Sequence, residues 1–186
     1  NMGDVLVTGA NGYIGRHVCL ALKDAGIGCL GLDNLVNSQD PGAFFIRHDI
    51  PFYMGGVAKR AVLDEIFGAH DIDAVMHFGG FIYVAESFKR PFAYYKANVC
   101  DAQAFFRYAL DAGVKHIVFS SSAGVYGEAQ EIPIPEDHRK EPINPYGRSK
   151  LAAEWILGDL ARVYDGVNTG ILRYFNVAGA DPYGRA

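Results

Sequence analysis

A phenol and an ammonium four residues apart can share one acid–base task, and Tyr146-Gly-Arg-Ser-Lys150 supplies such a pair. On a helix that spacing puts both side chains on one face. A free tyrosine has a pKa near 10 and is a poor base at neutral pH. A neighbouring ammonium favours the phenolate and brings that pKa down. Tyr-x-x-x-Lys arises often by chance on protein surfaces. Here Ser120-Ser121-Ser122 adds weight, because it closes an apolar strand where a hydroxyl can bond a reacting oxygen. Ser122, Tyr146 and Lys150 form the candidate catalytic group.

The second constellation is Val7-Thr-Gly-Ala-Asn-Gly-Tyr-Ile-Gly15. It places Gly9, Gly12 and Gly15 in a turn between an apolar strand and a helix. Without side chains there, backbone N–H groups can approach a pyrophosphate at the helix N-terminus. Asp33 follows Gly15 by 18 residues, close to the spacing at which a carboxylate accepts from the adenosine ribose hydroxyls. Its negative charge would repel a 2′-phosphate, so the expected cofactor is NAD rather than NADP. The positively charged nicotinamide would then join Lys150 in favouring the Tyr146 phenolate.

Strands and helices must alternate to hold these groups. Asp4–Thr8, Cys29–Leu32, Ala74–His77, His116–Ser120 and Thr169–Tyr174 read as short apolar strands. Helical spacing covers Tyr13–Ala25, the stripe from Val62 to Phe67, Phe92–Ala112 before Gly113, and Pro145 to about Tyr164. Strands apolar throughout and separated by helices point to a parallel sheet covered on both faces. The expected fold is α/β, a Rossmann-type doubly wound parallel sheet with its ligands at the carboxyl ends of the strands. Asn34–Met54 reads as loop with a weak third strand at Phe52–Met54, and residues 121–144 as a solvated, proline-rich excursion.

The 186 residues suit one domain, half hydrophobic and one-fifth charged. A net charge of −4 gives no reason to expect nucleic acid or an anionic membrane as partner. No apolar run approaches the roughly 18 residues of a membrane span. Cys19, Cys29 and Cys100 lack paired spacing, and no signal-peptide pattern is present, so the expectation is a cytoplasmic chain. Asn1 ahead of Met2 reads as the remnant of a cleaved tag. The histidines at 17, 48, 70, 77, 116 and 138 show no ligand spacing, and no metal is expected. His77 reads as a satisfied core residue.

Taken together, the motifs resemble the extended short-chain dehydrogenase/reductase family, most closely its members that interconvert UDP-glucose and UDP-galactose at C4. The resemblance rests on Thr8–Gly15, Leu32-Asp33-Asn34-Leu35, His77-Phe78-Gly79-Gly80 with Glu86-Ser87, and Pro91 through Asn98-Val99. It continues through Phe119–Gly127, Asn144–Lys150 and Arg173-Tyr-Phe-Asn176. It implies cofactor contacts from Gly9, Asn11, Gly12, Tyr13, Ile14, Gly15, Asp33 and Asn34, then from Phe78, Gly79, Gly80 and Asn98, and from Ser120, Tyr146, Lys150 and Tyr174. Ser122, Tyr146 and Asn176 would meet a UDP-sugar, and helix pairing would make a homodimer. Relatives that eliminate water usually carry an acid soon after the catalytic serine; Ala123-Gly124-Val125 offers none.

Three departures stand against the pattern. Gly56 occupies the place of an adenine-binding aspartate, with Asp49-Ile50 as an early substitute, and Ile82 that of a lysine near the phosphates. Family members also continue into a substrate-binding carboxyl-terminal domain, whereas this sequence ends at Ala186, leaving residues 1–186 as the expected NAD-binding domain. Another nucleotide-sugar chemistry and a non-catalytic dinucleotide-binding module are the competing readings.

Overall fold

The computed structural model describes residues 3–38 and 40–186. Asn1 and Met2, where a tag remnant is expected, lie outside the described residues. Six parallel strands, β1 (Asp4–Thr8), β2 (Cys29–Asp33), β3 (Phe52–Met54), β4 (Ile72–His77), β5 (His116–Ser120) and β6 (Asn168–Leu172), form one sheet. Their order is β3-β2-β1-β4-β5-β6, with the order of strand addition reversing between β1 and β4. Every neighbouring pair is parallel.

Burial on both faces explains why these strands read as continuous apolar runs. On one face Leu6, Leu30, Val75, Ile117 and Phe119 pack on Leu63, Ile66, Phe105, Phe106, Ala153 and Leu157. The other face carries Val5, Val7, Cys19, Leu20, Phe44 and Phe45. Helices α1 (Tyr13–Asp24), α2 (Ala43–Arg47) and α3 (Arg60–Ala69) connect the first four strands. Two more, α4 (Val84–Lys89) and α5 (Pro91–Tyr95), follow β4. A π-helical segment, Lys96–Asp101, then runs into α6 (Ala102–Asp111). Finally α7 (Pro145–Val163) joins β5 to β6. Among the described residues no helix is long and apolar enough to cross a membrane.

Local chemistry sets the boundaries of α7. The Asn144 side chain accepts from the Gly147 N–H at 2.7 Å, and Pro145 opens the first turn. The expected long helix Phe92–Ala112 is instead α5, the π segment and α6. The expected strand Thr169–Tyr174 stops at Leu172, beyond which the Tyr174 carbonyl accepts from the Ala123 N–H at 3.0 Å. Within the stretch read as loop, α2 forms because Phe44 and Phe45 are core residues; its five residues are too few to show a period.

Candidate active site

The glycine turn at the end of β1 is held by its own contacts. Gly9 has φ +63°, and a Cβ there would lie 2.7 Å from the backbone of Phe78 and Gly79. Only glycine lets the β1 turn meet the segment after β4 so closely. The Asn11 N–H donates to Asp33 Oδ2 at 3.0 Å, tying this turn to the tip of β2. The other Asp33 oxygen accepts from the Leu35 N–H at 2.8 Å. One carboxylate therefore shapes both loops where a ribose would lie.

These loops edge an open cleft of about 1390 Å³ across the carboxyl ends of the strands. That exceeds the few hundred to roughly 1,000 Å³ of a site for one drug-sized molecule. Gly9, Asn11, Gly12, Tyr13, Ile14, Gly15, Asp33 and Asn34 line one end. Phe78, Gly79, Gly80, Ser120, Ser122, Tyr146, Lys150, Tyr174 and Asn176 also line it. Gly56 and Ile82 face the same space, with no carboxylate or ammonium of their own. Asp49 lies outside the lining, and Ile50 is buried in the core beside Phe45.

Asn98 is the one expected contact that the cleft wall hides. It is 2% exposed, and its Oδ1 accepts from the Phe81 N–H at 2.8 Å. Its Nδ2 donates to Phe81 O and to Ser149 Oγ, both at 3.0 Å. Ser149 Oγ donates in turn to Tyr146 O at 2.7 Å. The π segment thus turns Asn98 inward, where it fastens the Gly80–Phe81 backbone to α7. In this structure its amide holds the wall in place and makes no contact with the cleft.

At the catalytic end, Gly124 and Gly147 allow α7 to approach the short 3₁₀ turn Ala123–Val125. A Cβ on Gly147 would lie 2.6 Å from Gly124 O. That approach sets Tyr146 beside Ser122, whose Oγ also accepts from the Gly124 N–H at 3.0 Å. Burial pushes the Tyr146 phenol above its ordinary pKa, and the Ser122 hydroxyl beside it pulls the other way. The expected lowering by Lys150 is not what this chain shows on its own. Lys150 Nζ donates down to Ser120 O at 2.9 Å and stands 6.0 Å from the Tyr146 ring centre. Burial lowers Lys150 itself to about 8.

His77 is a core residue, as its position at a strand end suggests. It is fully buried, its Nδ1 bonds Thr8 Oγ1 at 2.6 Å, and burial lowers its pKa to about 3. Sequence reasoning missed the polar cluster behind the serines, where Glu154 and Arg173 pair at 2.7 Å. Nothing in the spacing of Glu154 marks it as buried; a carboxylate four residues beyond Lys150 reads as a solvated helix face. Among the described residues no group of three His, Cys, Asp or Glu side chains could hold a metal ion.

Comparison with known proteins adds the lineage. A sequence profile described as the NAD dependent epimerase/dehydratase family matches residues 5–185. The chain belongs to this family. Among curated members of the NAD dependent epimerase/dehydratase family, UDP-glucose 4-epimerase of Azospirillum brasilense is 45% identical over 181 residues. That alignment covers 97% of this chain and 51% of the relative. UDP-glucose 4-epimerase of Yersinia pestis is 44% identical, with 97% and 55% covered. UDP-glucose 4-epimerase from Bifidobacterium longum, solved with NAD+ and UDP, superposes with a TM-score of 0.92 at 36% identity. There 98% of this chain and 56% of the solved one are covered. The chain spans about half the length of the curated relatives it matches. The resemblance read from its motifs is borne out at the level of the family, and so is the doubly wound fold.

Proposed function

We propose that this chain is the cofactor-binding and catalytic part of an NAD-dependent UDP-glucose/UDP-galactose 4-epimerase. One observation carries the reading: Ser122, Tyr146 and Lys150 gather at one end of the cleft whose other end is the Gly9–Gly15 turn and Asp33. The cradle suits a dinucleotide. At Gly9 a Cβ would lie 2.7 Å from the Phe78 backbone, and at Gly15 it would collide with Gly9 O. Glycine at both lets the turn pack so tightly that its backbone N–H groups at the start of α1 can meet a pyrophosphate. The half-buried Asp33 carboxylate stands where ribose hydroxyls can donate to it and a 2′-phosphate would be repelled. When bound, NAD supplies the acceptor and donor of hydride for the sugar C4.

The chain's own residues handle the proton and the oxygen. Tyr146, as phenolate, takes the proton of the sugar 4-hydroxyl, and Ser122 bonds the 4-oxygen as it becomes a ketone. Tyr146 returns that proton once the sugar has presented its other face. Lys150, with a pKa lowered to about 8, still holds its charge at neutral pH, and the cationic nicotinamide, when bound, would favour the phenolate. Among the described residues lining the cleft, the carboxylates are Asp33 and Asp101, and neither adjoins Ser122 in sequence. That favours epimerisation over elimination, which needs an acid and base at neighbouring carbons.

Two chains would associate through the helices that follow β4 and through α7. Phe92 on α5 is 89% exposed and Trp155 on α7 is 63% exposed.

The direct test is incubation with UDP-galactose and NAD, followed by chromatography for UDP-glucose. Conversion is expected, and Tyr146→Phe should remove nearly all of it while NAD binding, read by calorimetry, is unchanged. Undiminished conversion by Tyr146→Phe would overturn the assignment.

A further inference from the structure

The three consecutive serines at the end of β5 face three different ways. Ser120 Oγ bonds the Tyr174 hydroxyl, and Ser122 turns into the cleft beside Tyr146. Ser121, between them, is 1% exposed and is not part of the cleft lining. Its hydroxyl donates to Glu154 Oε1 on α7. Glu154 also accepts from Arg173, whose Nε lies 2.9 Å from Oε1 and whose second terminal nitrogen lies 2.7 Å from Oε2. The remaining Arg173 nitrogen donates to Tyr126 Oη at 3.0 Å and to Glu136 O at 2.9 Å. Four segments therefore meet on one carboxylate–guanidinium pair: the serine turn, α7, the end of β6 and the 126–138 excursion.

An ion pair this deep costs desolvation and is weak as a source of stability. Fixed geometry is what a bidentate guanidinium adds beyond charge. The backbone it fixes is that of Ser121, one residue from Ser122, and the helix it fixes is the one that carries Tyr146. We propose that Ser121, Glu154 and Arg173 act as a positioning clamp that holds the Ser122 hydroxyl against the Tyr146 phenol. The proposal rests on the reading of Tyr146 as the base, but its consequence is a property of the chain before any turnover. A phenolate that accepts a hydrogen bond forms at lower pH, so loosening the clamp should move Tyr146's titration upward.

The groups that bear on that titration are few. Lys150 faces Tyr146 from its own helix, Ser122 from the serine turn, Tyr174 from the end of β6, and the Tyr94 ring from α5 at 6.5 Å. The clamp residues touch the serine turn and α7 but have no direct hydrogen bond to the phenol, so they act through position.

The experiment is a titration of ¹³Cζ-labelled tyrosines by NMR, with Tyr146 assigned by loss of its resonance in Tyr146→Phe. Ser122→Ala sets the reference upward shift in midpoint. Ser121→Ala and Glu154→Gln should each give an upward shift of comparable size, and adding Ser122→Ala to either should give no more. Ser121→Thr, which restores a hydroxyl, should return the midpoint toward the wild type. Ser121→Ala removes a single oxygen and leaves the Glu154–Arg173 pair whole, so it keeps the test open if Glu154→Gln does not fold. An unchanged Tyr146 midpoint in Ser121→Ala, or a shift that adds fully to that of Ser122→Ala, would overturn the clamp. Absence of epimerase activity in the wild type would leave this readout untouched, so failure of the clamp and failure of the functional reading are separable.

Discussion

His77 and Lys150 are two buried basic side chains, the second in the cleft wall, and burial lowers the pKa of each, to about 3 and about 8. Both shifts make stability depend on pH, and in the same direction. For His77, the unfolded imidazole takes a proton near pH 6.5 while the folded one refuses it down to about 3. The stability it secures is complete above pH 6.5 and is lost progressively as pH falls toward 3. For Lys150, the penalty of a buried ammonium is fully present below about pH 8 and is relieved as pH rises toward 10.5. We expect urea midpoints to fall between pH 7 and pH 5, before most carboxylates titrate. His77→Gln should flatten that limb; an equally steep fall in the variant would assign it elsewhere. At this scale the candidate site was legible where motifs carry it, as in Tyr146, Lys150, Ser122 and Asp33. Asn98 and Glu154 show the limit. Which way a polar side chain on a helix turns depends on what packs against it, and no local pattern records that.

Among the elements, the π-helical turn inside the helix that follows β4 is the one that sequence periodicity conceals. Its single extra residue per turn shifts the phase of the helix without changing its hydrophobic content. The shift turns Asn98 onto Phe81, across a segment that walls the cleft. Asn98→Ala would leave the Phe81 N–H and C=O without their partner, while the Ser149 hydroxyl keeps its bond to Tyr146 O. The expected cost is about 2–4 kcal/mol of stability, from two part-buried backbone groups at about 1–3 kcal/mol each with partial rescue by water. Hydrogen exchange should show the Phe81 amide opening faster than those of β4. An unchanged rate at Phe81 would mean that the latch does not hold the wall. The strands and the long helices were readable because their apolar runs are long or their caps explicit, as with Asn144-Pro145 before α7. Helices α2 and α4, of five and six residues, fell below the length at which a period can be seen.

For the molecule as a whole, the surface bears on association. Phe88 on α4 and Phe92 on α5 are strongly exposed, as are Trp155 and Val163 on α7. If two copies pair through these helices, sedimentation should give a dimer at micromolar concentration. Trp155→Glu combined with Phe92→Asp should give a folded monomer, and a wild type that sediments as a monomer would remove the pairing. The sheet order has a separate consequence, for the chain as it is made. β1 acquires one neighbour, β2, after a single helix, but its other neighbour is β4, and Thr8 and His77 are 69 residues apart. At about 5–20 residues per second of synthesis, one edge of the most central apolar strand waits roughly 3–14 s for its partner. Until then Val5, Leu6 and Val7 present open hydrogen-bonding groups to any other nascent strand. Slower translation lengthens that interval, so soluble yield should depend on the speed of the ribosome and on chaperones that shield the first half of the sheet.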